Sequence, residues 1–470
     1  MQVGALLDDL RREGHDVQPN DGIGVFDLSI TDVVHDSRQA AGNTLFCAIP
    51  GAITDGHDYV AEAAGLGAPV VLVERFVDHA VPQLLVPEVR RVMPHAAALV
   101  HGRPSERLNV VGVTGTNGKT TTTHMLAAIL RTSGVAVEVI GTLSGAHTTP
   151  ESTDLQRTLR AAADSGTTVV AAEVSSHALA QHRVDAVVFA VAAFTNLTPD
   201  HLDFHGDMTS YFEAKARLFD GRARHELINV DDQWGVRLAE LRPDAVRLSV
   251  RDTTIEHADL DGSVFVWRGR RVRLPLAGDM NVANALMAAE SARLFDLDDE
   301  QVVAGLESLP PVPGRMERVP AVPGAPTVIV DYSHTPDSIE RALATVRSIV
   351  GASPVTIVFG CGGDRDRPKR PLMGRAAERA DLVVVTSDNP RSEDPMAIID
   401  DALAGMTRPD AAVVEPDRRM AIATAIERTP AAGVVLVAGK GHERTQTVGE
   451  RVLPFDDMDV ASEILEELDR

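Results

Sequence analysis

One segment, VVGVTGTNGKTTTT at residues 110–123, constrains the fold more than any other part of the chain. It predicts an apolar strand that runs into a glycine-rich turn and then directly into a helix, which Gly134 ends. Gly115 and Gly118 allow backbone N–H groups to surround phosphates, because a glycine backbone can approach a ligand closely. The Lys119 ammonium group can then contact the outer phosphates of a nucleotide, and the Thr120 hydroxyl can bind magnesium. The segment therefore predicts a phosphate-binding loop.

The spacing of this loop departs from the usual GxxxxGK pattern. The first glycine of that pattern would fall at Val113, and Gly112 lies one place too early. A plain glycine-rich turn after a strand is the alternative, but the lysine and the threonines at the start of a helix favour a variant of the nucleotide-binding loop.

Strand-like and helix-like segments alternate along the rest of the chain, which is typical of parallel sheets covered by helices. A first small α/β unit, with a helix before the strand VVLVE at 70–74, ends near residue 102. A second unit begins at Arg103, and we expect a polar, β-rich insertion in it from about Leu238 to Leu276. The fold class is therefore α/β.

The proline-rich segment LPPVPGRMERVPAVPGAP, which begins at Leu309, is the best candidate for a second boundary. We expect domains at 1–102, 103–311 and 312–470. In the last of these, TVIVDYSH, PVTIVFGCGG, ADLVVVTSDNP and GVVLVAGKGHE predict four buried strands, each followed by a polar turn. Ligands of open α/β sheets bind at the carboxyl ends of the strands, so these four turns should share one site.

Composition excludes several classes of function. The formal net charge of −23 disfavours nucleic acid and anionic membranes as partners. The two cysteines, Cys47 and Cys361, form no CxxC pair, which argues against a disulfide framework and indicates a reducing, cytoplasmic compartment. The amino terminus does not resemble a signal peptide, and the longest apolar run, residues 186–194, is too short to cross a membrane.

Other candidate residues follow strands or lie on helices. Glu173 in EVSSH can hold magnesium near Thr120, although carboxylates at strand ends also serve as helix caps. His201 belongs to TNLTPDHLDFHG, and Lys215 lies in the helical YFEAKARLF. Without other information, a lone lysine on an amphipathic helix is usually a solvated residue.

Together these segments resemble the Mur ligase family over nearly the whole chain. The motifs that carry the resemblance occur in the family's order: GTNGKTTT, EVSSHAL, NLTPDHLDFHG, YFEAKARLF, GDMNVANAL, PGRMERV, DYSHTPD, GCGGDRDRPKRP, SDNPR and AGKGHE. The resemblance implies a small N-terminal α/β domain, a central ATPase-like parallel-sheet domain and a C-terminal Rossmann-like domain. It also implies an ATP-dependent, ADP-forming ligase of peptidoglycan synthesis that acts through an acyl phosphate.

The resemblance assigns the catalytic and nucleotide-binding residues. Lys119, Glu173, His201 and Lys215 would be catalytic, and Thr120, Glu173, His201 and a carbamylated Lys215 (N6-carboxylysine) would hold Mg²⁺. ATP would be bound by the following residues: Gly115, Thr116, Asn117, Gly118, Lys119, Thr120, Thr121, Asn281, Asn284, Arg315 and His334.

The resemblance also assigns the two other substrates. The UDP-muramoyl dipeptide would contact these residues: Ser37, Ala52, Ile53, Thr54, Thr148, Thr149, Ser175, Gln181 and Arg183. The family usually has Asn before the two threonines, where this chain has His147. The incoming amino acid would contact the following set: Arg365, Asp388, Asn389, Pro390, Arg391, Gly439 and Glu443.

The Arg391 guanidinium can form a two-pronged contact with a carboxylate. Relatives with this DNPR form add meso-diaminopimelate, whose distal end carries a carboxylate, so we expect that substrate; the alternative is that Arg391 pairs with Glu393 or Asp394. Three rival functions stay open: a ligase for L-lysine, a folylpolyglutamate-synthase-like ligase, and a nucleotide-binding regulator without catalysis. We expect small-molecule substrates only and a monomer.

Overall fold

The computed structural model describes residues 1–20, 25–51, 54–145 and 147–468. The chain forms three β-sheets in succession, each packed with helices. A small antiparallel sheet lies between the second and the third in sequence. None of the helices in these ranges combines the length and the apolar character needed to cross a membrane.

The first sheet has five strands, and its helices cover both faces. The elements are α1 (Val3–Arg12), β1 (Gln18–Pro19), β2 (Asp32–Val34), β3 (Thr44–Cys47), α2 (Val60–Gly65), β4 (Val70–Val73), β5 (Gln83–Leu85) and α3 (Val89–Val100). The strand order is β1-β5-β4-β3-β2, and only β1 is antiparallel to its neighbour. Helices α1 and α3 pack with one face of the sheet, and α2 packs with the other.

The second sheet has six parallel strands. The elements are β6 (Asn109–Thr114), α4 (Lys119–Thr132), β7 (Val137–Ile140), α5 (Ser152–Asp164), β8 (Val169–Glu173), α6 (Ser176–Ala180), β9 (Phe189–Phe194), α7 (Leu202–His205), α8 (Met208–Ala216), β10 (Ala223–Asn229), α9 (Gln233–Leu241) and β11 (Val246–Leu248), followed after the small sheet by α10 (Asp279–Arg293) and α11 (Asp299–Glu307). The order β11-β10-β9-β6-β8-β7 places β6 in the middle of the sheet. The predicted strand, turn and helix around residue 115 are confirmed.

The predicted extent of the β-rich insertion is wrong at its start. Leu238 lies in helix α9, which begins because the Asp232 side chain accepts hydrogen bonds from the N–H groups of Trp234 and Gly235. Strand β11 then joins the main sheet beside β10. The insertion proper is the antiparallel sheet of β12 (Thr254–Asp259), β13 (Gly262–Trp267) and β14 (Arg270–Leu274).

The third sheet also has six strands. The elements are β15 (Glu317–Arg318), β16 (Thr327–Asp331), α12 (Pro336–Val350), β17 (Val355–Phe359), α13 (Lys369–Ala377), β18 (Leu382–Val385), α14 (Pro395–Leu403), β19 (Val413–Val414), α15 (Arg418–Arg428), β20 (Val434–Ala438), the hairpin β21 (Thr445–Val448) and β22 (Arg451–Pro454), and α16 (Asp457–Leu468). The order is β15-β16-β20-β17-β18-β19, and only β15 is antiparallel. The four predicted buried strands are β16, β17, β18 and β20, and they are adjacent, so their carboxyl ends meet at one edge.

Candidate active site

A cleft of about 670 Å³ lies between the carboxyl ends of the second and third sheets. The glycine-rich turn after β6 lines one wall, and the turns after β16, β17, β18 and β20 line the other. Side chains cross between the two walls: Asn117 Nδ2 lies 3.3 Å from an Asp337 oxygen, and Arg315 donates to the Thr120 hydroxyl at 3.0 Å. Groups that are distant in sequence are thus collected in one site.

The glycine-rich turn requires its two glycines for steric reasons. A Cβ on Gly115 would lie 1.9 Å from the Thr195 hydroxyl oxygen, and one on Gly118 would lie 2.3 Å from the Asn284 side-chain oxygen. Both glycines also have positive φ angles. The Lys119 ammonium group donates to the carbonyls of Gly115 and Thr116 at 2.9 Å, which folds the loop around that side chain. Thr116, Thr120 and Thr121 are buried beside it.

Thr120 and Glu173 place two oxygen atoms that can serve as metal ligands at the start of α4. The Thr120 hydroxyl donates to Glu173 Oε2 at 3.0 Å, and both side chains are buried. Thr142 fixes the same carboxylate, since its N–H donates to Oε1 and its hydroxyl to Oε2. A hydroxyl and a carboxylate are the kind of ligands that Mg²⁺ prefers, so this pair fits the ion.

Lys215 is fully buried, so the solvated-lysine alternative is wrong. Its Nζ atom donates to the Gly115 carbonyl at 2.8 Å and lies 4.7 Å from the centre of the Tyr211 ring. Burial, reinforced by the charge of Lys119, holds the pKa of Lys215 well below its usual range. The structure therefore provides a buried amine that is readily neutral.

His201 and Asp200 lie next to this lysine. His201 adopts a left-handed backbone conformation, and its ring packs edge-on against His177 with centroids 4.8 Å apart. Burial lowers the pKa of His201, so its imidazole is neutral at pH 7. Asp200 is buried, and Lys369, the first residue of helix α13, approaches it to 3.6 Å.

The expected adenine-side residues also line the cleft. Asn281 and Asn284 are buried on the first turns of α10, and the Thr122 hydroxyl donates to Asn284 at 3.4 Å. The Arg315 guanidinium stacks over the Tyr332 ring with its carbon 4.6 Å from the ring centre. His334 lies beside them, with its Nδ1 2.8 Å from the Tyr332 carbonyl oxygen.

The expected UDP-substrate residues divide into two groups. Five of them line the cleft: Thr148, Thr149, Ser175, Gln181 and Arg183. Hydrogen bonds join four of them: Arg183 donates to the Thr149 carbonyl and to Gln181 at 2.8 Å, and the Ser175 N–H donates to the Thr149 hydroxyl at 3.0 Å. Ser37 and Thr54 lie in the first α/β unit and do not line this cleft; the Ser37 hydroxyl donates to Glu62 at 2.6 Å. Ala52 and Ile53 lie outside the described residues.

The expected amino-acid residues gather where β17, β18 and β20 end. All of them except Pro390 line the cleft: Arg365, Asp388, Asn389, Arg391, Gly439 and Glu443. Pro390 does not line the cleft. Its carbonyl oxygen packs against Gly363, where an added Cβ would lie only 1.9 Å from that oxygen. Asn389 donates to Asp388 at 3.0 Å and to Glu443 at 2.7 Å, which ties two strand ends together.

Arg391 does not use the two acidic neighbours considered as alternatives. Glu393 pairs with Arg370 at 2.6 Å, and Asp394 accepts from the Met396 N–H at the start of α14. The Arg391 guanidinium donates one N–H to the Gly363 carbonyl at 2.5 Å and faces the cleft. The alternative of a surface ion pair within this segment is therefore wrong.

Sequence reasoning missed two lysines of the site, Lys369 and Lys440. Lys440 is fully buried and donates to Glu443 at 3.2 Å and to the Thr445 carbonyl at 2.6 Å, so it supports the amino-acid wall from behind. Both lysines occur in segments that carried the resemblance, DRDRPKRP and AGKGHE, but nothing in those letters shows which lysine faces a ligand.

Comparison with known proteins identifies the family. Three family models match in chain order: the Mur ligase family catalytic domain at residues 29–102, the Mur ligase middle domain at 113–292 and the Mur ligase glutamate ligase domain at 314–441. The chain belongs to the Mur ligase family. The expected family and three-domain architecture are confirmed.

Similar relatives include curated UDP-N-acetylmuramoyl-L-alanyl-D-glutamate–2,6-diaminopimelate ligases. Those of Solibacter usitatus and Geobacter metallireducens are each 42% identical, covering 93% and 98% of both chains. A solved structure of a ligase with the same name has a TM-score of 0.66 at 31% identity and covers 96% of this chain and 97% of its own. A folylpolyglutamate synthase of Mycobacterium tuberculosis shares the fold, with a TM-score of 0.61 at 20% identity over 74% of this chain and 91% of its own.

Proposed function

We propose that this Mur ligase joins meso-2,6-diaminopimelate to UDP-N-acetylmuramoyl-L-alanyl-D-glutamate in peptidoglycan synthesis. The chain is an ATP-dependent, ADP-forming ligase. The observation that carries the choice of reaction is that the phosphate loop and the Arg391 guanidinium line one shared cleft. The buried Lys215 does not line this cleft itself but donates to the Gly115 carbonyl of the loop from behind. The rival folylpolyglutamate synthase has weaker support, because that neighbour is 20% identical and covers 74% of this chain, whereas the 2,6-diaminopimelate ligase of Solibacter usitatus is 42% identical over 93% of it.

The reaction requires two bond exchanges. A side-chain carboxylate oxygen of the D-glutamate attacks the γ-phosphorus of ATP, the bond to the bridging oxygen breaks, and ADP leaves. The amine of diaminopimelate then attacks the acyl carbon of the resulting acyl phosphate, and phosphate departs with the C–O electron pair while the nitrogen loses a proton. Lys119 and the loop N–H groups are placed to stabilise charge that develops on the transferred phosphoryl group.

The proposed reaction brings the triphosphate of ATP, the D-glutamate carboxylate and the distal carboxylate of diaminopimelate into one cleft, so positive charge must be supplied. Mg²⁺ would be held by Thr120 and Glu173, with His201 and a modified Lys215 at a second position, and would neutralise phosphate charge. His201 suits that role because its neutral imidazole can act as a ligand. Lys369 and Arg315 approach the same region from the third sheet.

The proposal includes carbamylation of Lys215. Its neutral amine can attack the carbon of CO₂, so that an N–C bond forms while the electron pair of one C=O π bond moves onto oxygen. Loss of a proton from the nitrogen to water then leaves a carbamate anion. The lowered pKa of Lys215 supports this step, because only the unprotonated amine is a nucleophile. A carbamate replaces a cation by an oxygen donor, which suits the metal-binding role.

The remaining residue roles are part of the same proposal. Asn281, Asn284, Arg315 and His334 would bind the adenosine side of ATP, and the threonine and arginine group around Thr149 would bind the UDP-dipeptide. Domains at 1–102, 103–311 and 312–470 are supported by the three sheets, which lie within these limits. We also infer a monomer that acts in the cytoplasm, where ATP is available.

The decisive experiment measures ATP-dependent phosphate release with UDP-N-acetylmuramoyl-L-alanyl-D-glutamate. The acceptors compared are meso-diaminopimelate and L-lysine, and each reaction is checked by mass spectrometry for the new amide. Release with diaminopimelate alone is the expected result. A preference for lysine would overturn the proposed specificity while retaining the ligase, and no release with either acceptor would contradict the proposed reaction.

A further inference from the structure

A second group of possible metal ligands lies far in sequence from the catalytic motifs, where helix α1 ends against helix α3. Glu13 and His15 follow the last residues of α1, and His95 projects from the middle of α3. One ligand atom from each of these three side chains lies within 4.8 Å of the other two. We refer to Glu13, His15 and His95 as the His–Glu cluster.

The backbone holds His15 in place. The His15 N–H donates to the Leu10 carbonyl, and the Gly14 N–H donates to the Arg11 carbonyl, both at 3.0 Å. This pair of bonds, with Gly14 at a φ of 90°, is the Schellman pattern that ends many helices. The turn folds His15 back toward the helix end, so its position does not depend on a flexible loop.

Hydrogen bonding in the cluster is incomplete. His95 Nδ1 lies 2.8 Å from Glu13 Oε2, and the two imidazole rings pack with their centres 4.4 Å apart. The Nε2 atom of His15 is shielded from solvent and has no hydrogen-bond partner among the residues that the structure describes. Leaving a buried polar atom unpaired is costly, and a ligand on that nitrogen would remove the cost.

The electrostatics suit a cation with nitrogen and oxygen ligands. Burial, with the charge of His95, lowers the pKa of His15, so its imidazole is neutral and able to coordinate. Burial alone would raise the pKa of Glu13, but hydrogen bonds from His95 and Arg103 lower it, and the carboxylate is therefore ionised. The carboxyl end of α1 adds its partial negative charge at the same place.

We propose that the His–Glu cluster binds a first-row transition-metal dication, with Zn²⁺ as the best fit. Two imidazole nitrogens and one Glu13 oxygen would serve as ligands, and water would complete the fourth position. Arg103 pairs with the other Glu13 oxygen, an outer contact of the kind that orients metal ligands. Ligand atoms around Zn²⁺ lie roughly 3.3 Å apart, so the distances between the ligand atoms, which are at most 4.8 Å, need to shorten by no more than about 1.5 Å.

Such an ion would have a structural role. It would join α1 to α3, and through Arg103 it would also fix the segment that leads into the second sheet. The Glu13 and His95 side chains are 22% and 27% exposed, which gives an ion access from solution. The site is independent of the Mg²⁺ expected at Thr120 and Glu173, because it offers imidazole nitrogens rather than oxygen ligands alone.

The test uses the full chain stripped of metal with a chelator. Co²⁺, a spectroscopic substitute for Zn²⁺, is titrated while visible absorption and bound equivalents are measured in the parent and in H15Q, H95Q and the control H257Q. His257 is an exposed histidine of β12 outside the cluster. Histidines of the active-site cleft that also take up Co²⁺ contribute equally to all four proteins and cancel in the comparison.

We expect the parent and H257Q to bind one more equivalent of Co²⁺ than H15Q and H95Q. We also expect Zn²⁺ to raise the Tm of the parent and of H257Q but not that of H15Q. Equal stoichiometry and equal Tm shifts in all four proteins would overturn the proposal. If H15Q or H95Q fails to fold, as judged by circular dichroism, E13Q replaces it, because Glu13 lies at the surface.

Discussion

Replacing Arg391 by lysine tests the proposed amino-acid specificity most directly. The backbone of Arg391 is held on both sides, since its N–H donates to the Thr447 carbonyl at 3.0 Å and its carbonyl accepts from the Gly449 N–H at 2.7 Å. The substitution should therefore leave the loop in place. Lysine keeps the positive charge but loses the planar fork that matches a carboxylate.

The size of the effect follows from the lost contacts. A hydrogen bond to a charged group contributes about 1.5–3 kcal/mol. Losing one such bond to the distal carboxylate of diaminopimelate should lower kcat/KM roughly 10- to 150-fold. An acceptor in which that carboxylate is an amide should lose much less, because its neutral oxygen gains little from the guanidinium.

The assay measures kcat/KM for phosphate release with meso-diaminopimelate and with its distal monoamide, in the parent and in R391K. The matched control is R367K, since Arg367 lies two residues after Arg365 but does not line the cleft, is 65% exposed and pairs with Asp401. The control should stay close to the parent with both acceptors. Equal losses with both acceptors in R391K would refute the assignment of Arg391 to the distal carboxylate.

Three further predictions concern other parts of the chain. Lys215→Ala should abolish turnover and be partly rescued by short carboxylates such as acetate; full activity of this variant would contradict the metal-binding role of Lys215. Burial alone would raise the pKa of Asp32, but hydrogen bonds from His101 and Arg157 lower it to about 2. Its contribution, about 1–2 kcal/mol after allowing for solvent screening, is present above pH ~4 and is lost as the pH falls through the lowered pKa. The difference in urea midpoint between the parent and Asp32→Asn should therefore shrink between pH 4 and 2, whereas a constant difference would argue against this ion pair. Asp457→Asn should lower the free energy of unfolding by about 3–5 kcal/mol, because it leaves the buried Arg418 charge without its partner at 2.7 Å; a urea-denaturation loss below 1 kcal/mol would refute this.

Much of the site could be predicted from the sequence because its chemistry is local. The glycine-rich loop places Gly115, Gly118 and Lys119 within five residues, so their spacing alone defines a phosphate cradle. The four strands of the third unit each end in polar residues, and parallel strands bring such ends to one edge. The exact start of the insertion was missed because an amphipathic helix and a half-buried strand are easily confused over short apolar segments.

The α/β class, the phosphate loop and the family can be predicted from the amino-acid sequence alone, because they depend on periodicity and on short motifs. Which charged side chains are removed from water depends on the packing of the folded chain. Lys215 and Lys440 look like ordinary surface lysines in the sequence, but both are fully buried. The His–Glu cluster also depends on the fold, since 80 residues separate His15 from His95 in the chain. Burial and long-range contact set the charge state and the partners of a side chain, and neither property is written in its neighbours in the sequence.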